Sequence, residues 1–570
     1  MSTVLTDNLP LLAGAPNGIK KLRELILELA VRGKLVPQDP SDEPASELLK
    51  RIAEEKARLV AEGKVKKQKT LAEFGEEAEP FELPAGWRWG TLAQVAFVNP
   101  RNAAADSLEV SFVPMTFIGT RFDDQHAQEP RLWGEVKQGF THFAEGDIGV
   151  AKITPCFENS KACVFSNLVN GLGAGTTELH IVRPVGGTLD PRFVLAYLKS
   201  PQFLLVGETK MTGTAGQKRL PKDFVETNPF PLPPLAEQHR IVAKVDELMA
   251  LCDLLEARQT DADSAHAQLV QALVSSLVQT CDAEDFAQSW QRLAEHFHTL
   301  FNTESSIDVL KQTLLQLAVM GKLVPQDPND EPASELLKRI AESSAQLVAG
   351  TKAKKGSVKT GIAVEGINGI GLPPTWLWVS FDDLIDPEYP IAYGVLVPGP
   401  DVVDGIPFVR IADLDLVAPP VKPEKSISPE VDSQFERTRI RGGEILMGVV
   451  GSVGKLGIAP DTWAGANIAR AICRIVPCGY VSKSYILWLL QSDLMRRQFL
   501  GDTRTLAQPT LNVGLIRSAS TPLPPLAEQH RIIAKVDQLM ALCDQLKARL
   551  NQVRQVHEHL ASALVEQAVA

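Results

Sequence analysis

Two stretches of this chain are nearly the same stretch written twice. Leu29 to Glu54 reads LAVRGKLVPQDPSDEPASELLKRIAE, Leu317 to Glu342 reads LAVMGKLVPQDPNDEPASELLKRIAE, and 24 of the 26 positions are identical. Pro231 to Arg258 and Pro522 to Arg549 agree at 24 of 28 positions, each copy opening on PLPPLAEQHRI. Between these stretches, LPAGWRW at Leu83 is echoed by LPPTWLW at Leu372. The offsets, 288 and 291 residues, make two units of nearly equal length, about 17–279 and 305–570. A duplication of this kind is the strongest constraint in the sequence, because whatever one unit builds the other must build as well.

Within each unit a repeated frame surrounds an insert of roughly 150 residues that barely aligns with its counterpart. The frame therefore does one job twice, while the inserts do two versions of another. A chain of 570 residues also exceeds what one hydrophobic core organises, which agrees with several domains. The expected division is a helical region at 1–80, an insert at 81–230, a central helical region at 231–371, a second insert at 372–521 and a terminal helical region at 522–570.

The frame reads as helix. Pro233-Pro234 suit a helix start, where no amide partner is needed. Ile241, Val245, Leu248, Cys252 and Leu255 then recur at heptad spacing, as do Ile532, Val536, Leu539, Cys543, Leu546, Leu550 and Val553. In phase, the seam reaches His266 and His557, where a polar residue could fix register or simply sit half-exposed. The lysine-rich GKVKKQK from Gly63 and TKAKKG from Thr351 read as solvated leads into the inserts. The segment 280–304 has no counterpart in the duplication and reads as a helical linker.

The inserts lose the heptad and gain short β-type runs: LEVSFVPM, ELHIVRPV, IPFVRIADL and ARAICRIV, punctuated by Gly, Pro and Asp. A helix follows near the end of each, in RFVLAYLKS and SYILWLLQS. The fold class is α+β: two α+β domains separated by long antiparallel coiled-coil-like helices, a tandem duplication with pseudo-two-fold symmetry.

Motifs of catalysis do not assemble. GVVGSVGKLG from Gly448 fails the phosphate-loop pattern at both ends, with Val449 at the first glycine position and Leu456 after Lys455. TNPFP at Thr227 lacks the second proline of the Asn-Pro-Pro-aromatic motif of amino-methyltransferases. Cys473 and Cys478 have no second pair at zinc spacing and read as buried small side chains, so no metal site is expected. Seven scattered cysteines suit a reducing cytoplasm. No apolar run is long enough for a membrane span, and the N-terminus, with Asp7 and no basic start, does not read as a secretory signal.

Candidate contacts with nucleic acid lie instead on two pairs of loops. EGDIGVAKITPCFENSK from Glu145 and GGEILMGVVGSVGK from Gly442 occupy corresponding places, each a strand running into a loop with hydroxyls and a lysine. TGTAGQKRL from Thr212 and TRTLAQPTL from Thr503 lie just before the frame resumes, with Arg and Gln able to reach base edges. The candidates are Lys152, Thr154, Lys161, Gln217, Lys218 and Arg219 in the first insert. In the second they are Arg410, Ser452, Lys455, Arg504, Thr505 and Gln508. Ordinary β-turn chemistry accounts for the same residue types.

The tandem plan, the repeated PLPPLAEQHRI with its heptad helix, the GKLVPQDP segments and the LPxxWxW pairs resemble the specificity subunit of type I restriction-modification systems, over nearly the whole chain. The resemblance implies that each insert is a target-recognition domain reading one half of a bipartite double-stranded DNA site. It implies that the helices set the spacer and dock two modification (methyltransferase) subunits, joined by restriction (translocase and nuclease) subunits. S-adenosylmethionine, ATP and Mg then belong to those partners, and this chain carries no cofactor, no catalytic residue and no membrane contact. The alternative that frame and inserts alone permit is a non-enzymatic scaffold carrying two protein-binding domains.

Charge bears on the choice. The chain has a net charge of −11, and the inserts carry 14 Lys and Arg against 15 Asp and Glu, and 14 against 16. Neither insert is a basic clamp, so strong DNA affinity is expected only with the partner subunits present.

Overall fold

The computed structural model describes residues 9–62, 79–214, 216–279, 283–350, 362–367, 370–501 and 510–569. The two lysine-rich leads, as well as Arg504, Thr505 and Gln508, lie outside the described residues. The chain divides into two compact units, Met1–Ala262 with Gln552–Ala570, and Asp263–Asn551.

In the first unit the insert holds ten strands in order. They are β1 (Arg88–Thr91), β2 (Ala96–Val98), β3 (Glu109–Val113), β4 (Glu129–Leu132), β5 (Thr141–Ala144), β6 (Ile148–Ala151), β7 (Ala162–Val164), β8 (Leu172–Gly175), β9 (Leu179–Pro184) and β10 (Pro229–Leu232). Two four-stranded sheets result, β2-β9-β6-β7 and β4-β3-β8-β5. β1 and β10 pair antiparallel, Arg88 opposite Leu232, and so tie the two ends of the insert together at its neck.

The second unit repeats the plan. Its strands are β11 (Leu377–Ser380), β12 (Ala392–Tyr393), β13 (Ile406–Val409), β14 (Lys425–Ile427), β15 (Ile445–Gly448), β16 (Leu456–Ile458), β17 (Asn467–Ile468), β18 (Ile472–Ile475) and β19 (Ser520–Leu523). The sheets are β12-β18-β15-β16 and β14-β13-β17, and β11 pairs with β19 at the neck, Leu377 opposite Leu523. All four β-type runs of the sequence became strands, and RFVLAYLKS and SYILWLLQS became the helices Pro191–Leu198 and Lys483–Gln491.

The frame forms two helices of 44 residues, Leu235–Val278 and Leu526–Val569, each about 66 Å long at ~1.5 Å per residue. Each heptad seam is buried at its start: Ile241, Val245, Leu248 and Cys252 in one copy, Ile532, Val536 and Cys543 in the other. The seam packs on a shorter helix of its own unit. Arg23 of Gly18–Val31 bonds Asp253, and at the matching positions Lys311 of Glu304–Val319 bonds Asp544. Burial fades farther along, with Leu255 and Leu550 only partly covered and Val553 50% exposed. His557 is exposed, while His266 contacts the Thr299 carbonyl at 3.2 Å. The linker is helical over Ala283–Glu295.

The three repeated motifs are one structure. In the first unit the buried Glu237 of PLPPLAEQHRI accepts from the Trp87 indole at 2.9 Å and from the Gln38 amide at 2.8 Å. Gln38 belongs to GKLVPQDP and Trp87 to LPAGWRW. Arg240 bonds Asp42 through both carboxylate oxygens, at 3.1 and 2.5 Å, and Gln238 accepts from the Asp190 amide at 2.9 Å. Glu528, Trp376, Gln326, Arg531, Asp330 and Gln529 repeat these bonds in the second unit. The motif thus turns its Glu and Gln into its own unit. TNPFP is structural too, since Asn228 donates to the Tyr197 hydroxyl at 2.6 Å.

Candidate nucleic-acid interface

In the first insert, β6 ends at Ala151 and the chain makes a loop that returns at Lys161, where the Ala151 amide donates to the Lys161 carbonyl at 2.9 Å. Phe157 is its buried anchor. The second loop, Thr212 to Leu220, is a small hairpin closed by reciprocal amide bonds between Thr212 and Arg219 at 3.0 and 2.8 Å. Its turn uses Gly213 (φ 129°) and Gly216 (φ 79°), conformations that cost glycine little.

These two loops, sixty residues apart in sequence, are joined edge to edge. The Thr154 amide donates to the Lys218 carbonyl at 3.0 Å, the Lys218 amide donates to Thr154 Oγ1 at 3.1 Å, and the Leu220 amide donates to the Lys152 carbonyl at 2.7 Å. Lys152, Thr154, Gln217, Lys218 and Arg219 therefore share one platform. Thr154 is buried and holds the platform together, while Gln217 and Lys218 are exposed. Arg219 is held by a two-pronged ion pair with Glu178, both bonds 2.9 Å, which also keeps the Glu178 carboxyl below its usual range. Lys161 points elsewhere, donating to the Met115 carbonyl at 3.0 Å.

Residues that sequence reading passed over position this platform. His180 is buried under it; Nε2 meets the Leu220 carbonyl at 2.9 Å and Nδ1 the Asn99 amide at 3.2 Å. A carbonyl partner requires the proton on Nε2, and burial pushes the imidazole down to about 4, so the ring is neutral. Lys199, buried at the end of an apolar helix, donates to the Ser160 and Thr120 carbonyls at 2.7 and 2.9 Å and ties down the far side of the first loop. Its burial pulls the ammonium down to about 8. A lysine in the apolar run FVLAYLKS was the available signal; for His180 and Glu178 there was none.

The second insert is built the same way. β15 ends at Gly448, and the loop to Lys455 is closed by the Gly448 amide on the Lys455 carbonyl at 2.8 Å. The Leu511 amide donates to the Val449 carbonyl at 2.8 Å, joining this loop to the segment that precedes the neck. By strand register Cys473 stands where the first insert has His180, and the platform carbonyl is held instead from the neighbouring strand β12, where the Tyr393 hydroxyl donates to the Leu511 carbonyl at 3.0 Å. Ser452 is exposed on the loop. Lys455 donates to the Ile411 carbonyl at 3.0 Å, as Lys161 does to Met115. Arg410 lies beside Glu424, at 2.9 Å, and Asp413, at 3.4 Å, and so is matched within its own insert.

Among the described residues no cluster of three or more His, Cys, Asp or Glu side chains could hold a metal ion, and no helix is long and apolar enough to cross a membrane.

Residues 401–555 match the family model described as the type I restriction modification DNA specificity domain. The chain is 46% identical over 559 residues to the type I restriction enzyme EcoAI specificity subunit of Escherichia coli, covering 97% of this chain and 94% of that protein. It is 45% identical over 563 residues to the EcoEI specificity subunit of the same organism, with the same coverage. A chain from a solved structure concerned with complex assembly and conformational transition of the type I R-M system shares the fold, with a TM-score of 0.50 at 20% identity, over 86% of this chain and 99% of that one. A duplicated frame with two divergent inserts, and relatives of this similarity over nearly the full length, place this chain in the family of specificity subunits of type I restriction-modification systems.

Proposed function

We propose that the inserts, 81–230 and 372–521, are target-recognition domains, each reading one half of a bipartite double-stranded DNA site. In this reading the helical regions 1–80, 231–371 and 522–570 fix the spacer and dock two modification subunits, with restriction subunits joining them. S-adenosylmethionine, ATP and Mg are held by those partners, and the complex works in the cytoplasm. The observation that carries the reading is the repeated loop platform: Lys152 to Lys161 joined to Thr212 to Leu220, and Gly448 to Lys455 joined to Leu511. Such a platform offers backbone amides, hydroxyls and unpaired cations for phosphates, with Gln and Arg for base edges.

In the first domain the contacts fall to Lys152, Gln217, Lys218 and Arg219, with Thr154 and Lys161 shaping the surface. In the second they fall to Ser452, with Lys455 shaping the surface as Lys161 does, Arg410 at the flank, and Arg504, Thr505 and Gln508 in the sequence that follows. The test replaces residues 81–230 with the corresponding domain of a relative and maps methylated bases in cells carrying the whole system. One half of the recognised motif should change and the other remain; a change in both halves or in neither would refute the assignment.

A further inference from the structure

Strand β15 carries the loop platform at its C-terminal end. At its other end lies a cavity of about 320 Å3, lined among others by Tyr389, Arg441, Gly443, Glu444 and Lys483. Two cations, Arg441 and Lys483, line it, and a third, Arg474, lies behind the Tyr389 ring. Arg441 and Arg474 both lie against the Tyr389 ring, at 4.3 and 5.3 Å from its centre, and Lys483 donates to the Gly443 carbonyl at 3.0 Å. Arg474 is only 4% exposed, and its two terminal nitrogens donate to the Arg439 and Arg437 carbonyls. Its Nε has no partner among the described residues. The carboxylate in the cavity wall, Glu444, is spent on the backbone amides of Arg441 and Gly442, at 2.6 and 2.8 Å.

The helix Lys483–Gln491 starts at this cavity, and its cap residue, Ser482, makes no side-chain capping bond. The first unit handles the same place differently. There Asp190 caps the helix Pro191–Leu198, its carboxylate accepting from the Arg192 amide at 2.8 Å. Asp190 and Ser482 are matched by their amides, which donate to Gln238 and Gln529. By that match Pro191 stands where the second unit has Lys483. By strand register, Ala144 stands at the place of Arg441 and Ile181 at the place of Arg474. The first unit thus caps the helix with its own carboxylate and lacks cations at the three matched positions, its nearby Arg183 being bonded to Asp147, while the second unit has the three cations and an open helix start.

The geometry points to a phosphate-binding site in the second unit, in which Arg441, Lys483 and the amides opening the helix Lys483–Gln491 hold the oxyanion, with Arg474 behind them. Helix starts and charge-assisted donors favour such a ligand. Phosphate arrives either free, as inorganic phosphate, or as a phosphodiester of a DNA backbone. The site is separate from the base-reading platform, at the other end of a strand of 4 residues, about 13 Å long at ~3.3 Å per residue.

The test follows thermal unfolding of the full chain in inorganic phosphate against chloride at matched ionic strength. Phosphate should raise the Tm of the wild-type chain, and Arg441→Ala with Lys483→Ala should weaken that response roughly tenfold or more per cation removed. Ser482→Asp supplies internally the carboxylate that Asp190 supplies in the first unit. It should raise the Tm in chloride and abolish the phosphate response, which keeps the test decisive if the alanine variant folds poorly. A DNA source would show instead in the assembled complex, where the double variant should lower the slope of log affinity against log salt by about one for each phosphate it no longer neutralises. Identical phosphate responses in all three chains, together with an unchanged salt slope, would overturn the site.

Discussion

The indole of Trp87 donates to the carboxylate of Glu237 at 2.9 Å across 150 residues of chain, and Trp376 does the same to Glu528 at 2.9 Å across 152. Each pair closes the insert between its two residues at the point where the frame resumes. With β1 on β10 and β11 on β19, this makes each insert an excursion whose ends meet, so the inserts can diverge without disturbing the frame.

Glu237→Ala would leave the buried Trp87 indole and the Gln38 amide without their acceptor. A loss of about 1–3 kcal/mol is expected, since an unsatisfied buried donor bears its full desolvation cost. Glu528→Ala should cost a similar amount in the second unit, and removing donor and acceptor together in Trp87→Phe/Glu237→Leu should cost less than the sum of the single changes. Urea unfolding of the variants checks this.

His180 makes the first platform sensitive to acid. Its imidazole titrates near 6.5 when unfolded and at about 4 when folded, because burial disfavours the charged ring. The folded-state value is the lower one, so the stabilising contribution is complete above pH 6.5 and is lost as pH falls toward 4. At full size it is on the order of 3 kcal/mol. His180→Asn should flatten the pH dependence of stability over that window, and NMR titration of the His180 ring reads the value directly.

Much of this architecture was legible because it was written twice. The helices after PLPPLAEQHRI and the insert strands follow from local pattern: heptads, proline starts and short β-type runs. The bond set joining Gln38, Trp87 and Glu237 was not legible, although each lies in a repeated motif. Gln38, Trp87 and Glu237 lie far apart in sequence, and no periodicity says that an indole, an amide and a carboxylate will share one bond set. The platform shows the same division. Its two loops were each identified by composition, but the joining of Thr154 to Lys218 is a tertiary fact. So is the capture of Arg219 by Glu178 and of Arg410 by Glu424, which decides which cations remain unmatched.

Lys218 and Gln217 should separate in their effects. Lys218 is exposed on the platform, so Lys218→Ala should weaken binding about equally for all sequences and lower the salt slope by about one. Gln217→Ala should relax the preference at one base pair of the first half-site, by about 1–3 kcal/mol if Gln217 makes a bidentate base contact. Methylation mapping of the two variants separates the outcomes. Neither should alter the second half-site.

Charge and helix length together set what the assembled complex should do. With 14 basic against 15 acidic residues in one insert and 14 against 16 in the other, this chain alone should bind DNA weakly, and modification subunits should raise the affinity steeply. Tight, salt-resistant specific binding by the isolated chain would contradict that. The spacer should respond to helix length independently of affinity. From Glu256 to Ala265 every side chain of the helix Leu235–Val278 is exposed, so an insertion there displaces no buried side chain at the insertion site. Four added residues lengthen the helix by about 6 Å at ~1.5 Å each. At roughly 3.4 Å per base pair, the half-sites should move apart by one or two base pairs while their sequences stay the same. Methylation mapping of the insertion variant tests this, and an unchanged spacing would show that the helix does not set the spacer.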